Sequence, residues 1–113
     1  GLKAIFATKG TSLLALASGN NIPLSKLLEF NDLKNDGLLQ DDQIIYLEKK
    51  ARQGNRDYYI SLHDESLRDV AQNIGVQLQS LVQFNNLSEL SNVRKGQKIY
   101  LRPIATSATA SAR

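Results

Sequence analysis

The sequence predicts an α+β fold built from two tandem βααβ modules, each a two-stranded antiparallel sheet covered by two helices. Residues 4–48 match residues 58–102 at a constant shift of 54 positions without a gap, and twelve of the aligned positions are identical. In each copy, segments of alternating apolar residues flank two segments in which apolar residues recur every three or four positions. Alternation indicates strands and the longer spacing indicates helices, so each copy has the order strand, helix, helix, strand.

Each copy opens with a predicted strand. In the second copy Tyr58, Ile60 and Leu62 alternate with polar or small residues, and Ala4 and Phe6 hold the equivalent places in the first copy. This alternation is typical of a strand with one buried face, so we expect these residues to face the core.

A first helix of about two turns follows the strand. In the second copy the apolar residues of segment 67–74 lie at i, i+3, i+4 and i+7, as on one face of a helix. The preceding Ser66, or Ser12 in the first copy, is suited to accept the first free N–H groups. Gly75, opposite Asn21, lies where a left-handed residue ends a helix, because Gly and Asn adopt that conformation at low cost.

A second short helix and a closing strand complete each copy. The helix starts beside Pro23 in the first copy and ends near Asn31 and Asn85, where Asn commonly bonds local backbone. We expect that structural role for both Asn residues ahead of ligand contact. The closing strands are residues 43–47 and 97–101. Four side chains of the second helices belong to the core by their spacing: Leu27, Phe30, Leu81 and Phe84.

The domain boundaries follow from these elements. The first copy covers residues 1–48, a charged connector covers 49–57, the second copy covers 58–103, and a low-complexity tail covers 104–113. We expect the tail to be disordered, because its small residues have nothing to offset the entropy of ordering. We expect the basic connector residues to be solvated: Lys49, Lys50, Arg52 and Arg56.

Composition excludes several classes of protein. The 113 residues hold no Cys, so neither a disulfide framework nor a thiolate metal site is available. The net charge of +3 is too small and too dispersed for a nucleic-acid footprint. No apolar run approaches the roughly 18–20 residues of a membrane span. The first residues show neither an initiator Met nor a signal peptide, so we expect a piece of a longer protein.

The second copy shows an acidic residue, Ser and Leu at residues 65–67, Gly-Val at 75–76, Phe-Asn-Asn-Leu at 84–87 and Lys-Gly-Gln at 95–97. This order of motifs, present in both copies, resembles tandem LysM (lysin motif) modules. The first copy departs from the family pattern in having Thr11 for the turn acid, Asn21 for the helix-ending Gly, and Asp42 for the Gly before Gln43. The second copy has Asp64 where the family prefers Gly. We therefore expect two unequal sites, with the second nearer the family norm.

The resemblance implies non-catalytic binding of glycans that contain N-acetylglucosamine, above all bacterial peptidoglycan, with chitin oligomers as the second choice. In the family, the sugar lies in a shallow groove between the turn after the first strand and the loop after the second helix. Carried onto this sequence, the groove of the first copy comprises Lys9, Gly10, Thr11, Ser12, Asn31, Asp32, Leu33 and Lys34. That of the second copy comprises Asp64, Glu65, Ser66, Asn86, Leu87 and Ser88.

The resemblance also implies a partner and a location. Such modules target a larger exported protein, often a peptidoglycan hydrolase attached covalently outside these residues, to the cell wall. We therefore expect a periplasmic or extracellular place in the cell envelope, with no catalytic residue, metal or cofactor, no nucleic-acid partner and no membrane span. Two weak sites on one chain raise avidity toward a polymer.

Three other interpretations stay open. His63 lies beside Asp64 and Glu65, but neighbours in a turn do not face a common point, so we expect a solvated histidine rather than catalysis or metal binding. Segment 67–84 has the spacing of a DNA-binding helix-turn-helix, although residues 78–85 contain no Lys or Arg to neutralise phosphates. The copies are also suited to protein docking if they have lost sugar binding.

Overall fold

The computed structural model describes residues 1–104, and the part of the predicted disordered tail at 105–113 lies outside the described residues. The chain divides into two compact units, the first at Gly1–Ala51 and the second starting at Arg52. Each unit contains one copy of the repeat. The α+β class and the βααβ order are confirmed in both.

The first unit contains one sheet and two helices. Its elements are β1 (Ala4–Ala7), α1 (Leu13–Gly19), α2 (Leu24–Phe30) and β2 (Gln43–Tyr46). Strands β1 and β2 pair antiparallel, with Ala4 opposite Tyr46 and Ala7 opposite Gln43. The first and last elements of this unit therefore form the sheet, and the two helices lie between them in sequence.

The second unit repeats this order and adds a second short pairing. Its elements are β3 (Tyr58–Ile60), β4 (Glu65–Ser66), α3 (Leu67–Ile74), α4 (Leu78–Asn85), β5 (Asn92–Val93) and β6 (Lys98–Tyr100). Strand β3 pairs antiparallel with β6, and β4 pairs antiparallel with β5. The second pairing joins the turn before α3 to the loop after α4.

Each unit has its own apolar core. In the second unit, side chains from α3, α4, β5, β6 and the residues next to them form a buried cluster comprising Leu67, Val70, Ala71, Val76, Leu78, Leu81, Val93, Ile99 and Leu101. The first unit has a smaller equivalent of Ala7, Leu13, Ala17, Leu27, Leu39 and Ile45. Burial of these side chains is the main favourable contribution to folding, since the chain has no disulfide.

The predicted facing of the opening strands is wrong by one residue. Phe6 is 68% exposed and Leu62 is 75% exposed, whereas Ala7 and Ser61 are buried. The inner face of the second unit carries polar groups at Tyr59 and Ser61, whose hydroxyls donate to Glu65. Because these hydrogen bonds satisfy the polar atoms, the face that looks more polar in sequence is the one that packs inward.

Helix ends follow the predicted chemistry. Ser12 accepts a hydrogen bond from the N–H of Ala15, and Ser66 forms a reciprocal capping box with Asp69. Gly75 and Asn21 both have a positive φ, of 83° and 57°, as expected for residues that end a helix.

Three side-chain environments differ from the expectations. Lys50 is 3% exposed instead of solvated, because its ammonium group pairs with the Asp32 carboxylate. Phe30 and Phe84 are half-buried at the ends of their helices and lie outside the two core clusters.

Within residues 1–104, no helix is both long and apolar enough to cross a membrane.

Candidate functional site

Two loops meet in the first unit: the turn between β1 and α1 and the long loop between α2 and β2. The N–H of Gly10 donates to the carbonyl of Leu39 at 2.8 Å, and the N–H of Leu39 donates to the carbonyl of Thr11 at 2.9 Å. Ser12 and Leu38 form an antiparallel bridge between the same segments. The two loops are therefore fixed side by side by backbone hydrogen bonds.

The second unit joins its equivalent loops in the same way. Strands β4 and β5 place Glu65 opposite Val93 and Ser66 opposite Asn92. The N–H of Leu67 donates to the carbonyl of Ser91 at 2.9 Å. No element was predicted from sequence between the second helix and the closing strand, and the apolar match of Leu39 with Val93 was the signal that this segment returns to the core.

A carboxylate on one loop holds the backbone of the other in both units, but the direction is reversed. In the first unit, Asp42 Oδ1 accepts from the N–H of Lys9 at 2.8 Å. In the second, Asp64 Oδ1 accepts from the N–H of Lys95 at 2.9 Å. We call this contact the loop clasp. We call the segment between α2 and β2, or between α4 and β6, the return loop. The accepting Asp lies at the end of the return loop in the first unit and in the turn before the first helix in the second.

The loop clasp explains two departures from the family pattern together. Gly10 aligns with Asp64, and Asp42 aligns with Gly96, so the two units have exchanged Asp and Gly at these positions. In each unit the Gly follows the Lys whose N–H is bound, and it has a positive φ of 90° at Gly10 and 86° at Gly96. The Asp carboxylate and the Gly turn are therefore complementary parts of one contact.

Asn31, a predicted glycan-binding residue, is fully buried. Its side-chain amide donates to the carbonyls of Leu27 and Tyr46, and its oxygen accepts from the N–H of Tyr46 at 2.7 Å. Asn85 makes the same three bonds in the second unit, with Leu81 and Tyr100 as partners. Each Asn side chain thus bonds the N–H and the carbonyl of Tyr46 or Tyr100, which a neighbouring strand would otherwise bond.

The next residue differs between the units. Asp32 has a φ of 53°, and its carboxylate pairs with the Lys50 ammonium at 2.6 Å. The equivalent Asn86 has the same φ of 53° but is exposed. Lys50 aligns with Ile104, so the second unit has neither partner of the ion pair. Asp32 is thus committed to a structural contact, whereas the Asn86 amide faces solvent.

Glu65 also has internal partners. Its Oε2 accepts from the Tyr59 hydroxyl at 2.8 Å and from the Ser61 hydroxyl at 2.7 Å. Burial raises the pKa of the Tyr59 phenol, and the hydrogen bond to Glu65 raises it further. At neutral pH the phenol is therefore the donor and the carboxylate the acceptor, which fixes the turn before α3 to strand β3.

The other predicted glycan-binding residues lie along the joined loops. Leu33 and Leu87 pack against their cores, and the N–H of Ser88 donates to the Ser91 hydroxyl at 3.0 Å. The remaining residues are exposed or half-buried and belong to the two turns or the start of the return loop: Lys9, Gly10, Thr11, Ser12, Lys34, Asp64 and Ser66. The structure therefore leaves an exposed surface along the joined loops of each unit, where polar groups lie beside the exposed side chains of Leu38, Leu62 and Leu90.

Residues with catalytic or metal-binding potential do not converge. Among residues 1–104, no three His, Asp or Glu side chains come close enough to hold a metal ion. His63 is exposed in the turn, and its carbonyl oxygen lies 2.6 Å from the Ser61 hydroxyl oxygen, whose one proton is shared with Glu65 Oε2. Within that part of the chain, every buried side-chain nitrogen and oxygen has a hydrogen-bond partner.

Comparison with known proteins identifies two matched segments. The sequence profile of the LysM domain matches residues 8–47 and residues 64–102. No curated protein matches the chain. Two solved structures are similar: the spore cortex-lytic enzyme SleL of Bacillus megaterium QM B1551, at 21% identity and a TM-score of 0.38, and that of Bacillus cereus, at 26% and 0.37. The matches cover 92% and 89% of this chain but 23% and 22% of those enzymes.

Proposed function

This chain belongs to the LysM domain family, with two copies of the domain in tandem, and on that premise we propose that it binds peptidoglycan without catalysing a reaction. LysM is a binding domain that recognises glycans containing N-acetylglucosamine, and it occurs in cell-wall-associated proteins. The proposed role of this chain is to hold a larger exported protein on the cell wall. The chain spans less than a quarter of the two SleL enzymes, so the attached domain is itself part of the proposal.

The observation that carries the proposal is the repeated joining of two loops. In each unit, backbone hydrogen bonds and a loop clasp hold the turn before the first helix against the loop after the second. Rigid, exposed loops with polar backbone are suited to an acetamido sugar, whose carbonyl and N–H need fixed partners. We propose that the second unit contributes more, because Asn86 is exposed where Asp32 is bound to Lys50.

The proposal is tested by titrating the ¹⁵N-labelled chain with N-acetylglucosamine oligomers of two to six sugars. We expect shift changes at residues 9–12 and 64–66 and in the return loops, larger in the second unit, with tighter binding to longer oligomers. A parallel arm incubates the protein with insoluble peptidoglycan and with duplex DNA. Retention on peptidoglycan supports the proposal, and salt-sensitive binding to DNA with no retention on peptidoglycan contradicts it.

A further inference from the structure

A groove of about 250 Å³ lies beside the free edge of β6 in the second unit. We call it the edge groove. Its walls are the end of α4 with the following residues, the edge of β6, and Ile104. Phe84, Leu87 and Tyr100 supply apolar surface, and Asn86 supplies an exposed amide. Asn86 and Leu87 also belong to the proposed sugar surface, so the edge groove adjoins that surface. The loop clasp and the β4–β5 pairing involve other residues.

Backbone hydrogen-bonding groups are available along the edge groove. The N–H of Leu101 donates to Asp57 and the N–H of Ser61 donates to Gln97, so the odd-numbered residues of β6 and its flanks face β3. The even-numbered residues must point to the other side, as the bonds from Tyr100 to Asn85 show. Lys98 therefore presents its N–H and carbonyl to the edge groove, two residues from the place where Asn85 covers the edge.

The first unit shows how the equivalent space is filled. Lys50, Asp32 and Tyr46 align with Ile104, Asn86 and Tyr100, three residues that line the edge groove. The Lys50 side chain is buried there, with its ammonium 2.6 Å from the Asp32 carboxylate and 5.9 Å from the centre of the Tyr46 ring. The Lys50 side chain thus fills this place in the first unit, whereas the equivalent Ile104 of the second unit is 49% exposed.

Charge distinguishes the two closing strands as well. Residues 94–102 contain four basic residues and no acid, whereas the equivalent residues 40–48 contain three acids and no base. Lys98 lies over the Tyr58 ring at 4.5 Å and pairs with no carboxylate within residues 1–104. The edge groove therefore favours an anionic ligand, and the first unit does not.

We propose that the edge groove binds the carboxylate-bearing peptide of peptidoglycan, extended along β6, while the joined loops bind the sugar. The peptide amides pair with the N–H and carbonyl of Lys98, as in the addition of a strand. Small side chains of the peptide pack on Leu87 and Ile104, and its carboxylate lies near the Lys98 ammonium. The inference rests on the proposed function, because the sugar brings its peptide to the groove through the shared Asn86–Leu87 loop.

The experiment compares two probes by calorimetry with the full chain. One is the N-acetylglucosamine–N-acetylmuramic acid disaccharide with its lactyl group capped as a methylamide, and the other is the same disaccharide with its tetrapeptide. We expect the peptide-bearing probe to bind about tenfold tighter, which is the effect of one or two added polar contacts. In spectra of the ¹⁵N-labelled chain, we expect the peptide-bearing probe to cause additional chemical-shift changes at Leu87, Lys98, Tyr100 and Ile104. We expect none at the equivalent residues of the first unit.

Two variants of the second unit test the groove itself. Ile104→Glu places a carboxylate on the wall of the groove, and Lys98→Glu reverses the charge at the edge. Both are expected to remove the tenfold gain and to leave binding of the capped disaccharide unchanged. Ile44→Lys, at the position equivalent to Lys98 in the first unit, is the matched control and is expected to keep the gain.

The outcomes separate this inference from the proposed function. Equal affinity for the two probes, or a gain that both second-unit variants retain, overturns the peptide groove and leaves glycan binding intact. Failure of both probes to bind overturns the proposed function, and the inference with it.

Discussion

The Asp42 carboxylate accepts a hydrogen bond from the Lys9 backbone N–H at 2.8 Å, and this contact ties together two loops that are 33 residues apart. The second unit makes the same contact from the opposite loop, through Asp64 and Lys95. Both units therefore have the same interaction, but the carboxylate belongs to a different loop in each. Substitutions at one position of the pair should depend on the residue at the other.

Exchange of Asp and Gly in the second unit tests this dependence. Asp64→Gly removes the loop clasp and is expected to lower the free energy of unfolding by about 1–2 kcal/mol, as for a charge-assisted hydrogen bond. Gly96→Asp alone adds strain, because the residue has a φ of 86°. The double variant recreates the Gly10–Asp42 arrangement and should recover at least half of the summed loss. Denaturant unfolding of the four proteins gives the coupling, and strict additivity would show that the positions are independent.

Asn31 is expected to act on folding, although the family resemblance assigns it to the sugar groove. Asn31→Ala leaves the N–H and carbonyl of Tyr46 without their partners in a buried place, so the first unit should lose about 2–3 kcal/mol. Asn86→Gly is the control, because Gly accepts the φ of 53° and the side chain is exposed. It should keep stability and weaken binding of N-acetylglucosamine oligomers. Thermal unfolding and calorimetry measure the two effects, and the reverse pattern would contradict the assignment.

Alkaline pH should destabilise the second unit through Tyr59. Its pKa is raised above 10.0 in the folded state, mainly by burial and next by the bond to Glu65. The folded unit thus binds the phenolic proton more tightly than the unfolded chain, so this stabilisation is complete below about pH 10 and is lost as the pH rises through the folded pKa. Tyr59→Phe should be less stable by about 1 kcal/mol at pH 7 and should show a flatter decline above pH 10.

The Tyr59 experiment needs signals from the second unit alone. Burial also raises the pKa of Tyr46 in the first unit, so unfolding must be followed by the amide resonances of residues 58–102. Tyr58→Phe removes a hydroxyl from an exposed position of the same strand and controls for the substitution. If Tyr59→Phe declined as steeply as the wild type, the phenol would not be the titrating group.

The buried ion pair of the first unit predicts how the wild type, a single variant and a double variant rank in stability. Asp32→Asn leaves the Lys50 ammonium buried without its counter-ion, and we expect a loss of about 2–4 kcal/mol. The double variant Asp32→Asn with Lys50→Ile reproduces the residues of the second unit, Asn86 and Ile104, and should be less destabilised than the single variant. Urea unfolding ranks the three proteins. A double variant that is the least stable would contradict the view that the pair is replaceable.

The order of elements was predictable because it depends on local patterns. The strand segments, the serine caps and the left-handed Asn21 and Gly75 each depend on a few neighbouring residues. The structure confirms them, although the opening strands face the opposite way to the one predicted. The repeat reinforced these signals, since the same pattern appeared twice at one spacing.

The contacts that hold the site were not predictable, because each joins residues that are distant in sequence. Asp42 and Asp64 were interpreted separately as departures from a family pattern, although each supplies the carboxylate of a loop clasp. Lys50 was expected in solvent because the sequence does not show that Asp32 lies beside it. Tyr59 and Ser61 looked like an outer face because their bonds to Glu65 cannot be deduced from alternation.

Gly54 lies in the segment predicted to be a solvated connector, yet it contacts a core residue that is distant in sequence. Its N–H donates to the carbonyl of Leu101 at 2.8 Å, and a Cβ at this position would lie 2.8 Å from the Cβ of Leu101, a fully buried core residue. Gly54→Ala should therefore force Leu101 to move and destabilise the second unit by about 1–3 kcal/mol. Gly19→Ala is the matched control: it lies in α1 with open space around it and should be neutral or stabilising, by up to about 1 kcal/mol. Hydrogen exchange resolved by residue measures each unit separately, and equal protection in Gly54→Ala and the wild type would show that this segment does not pack on the core.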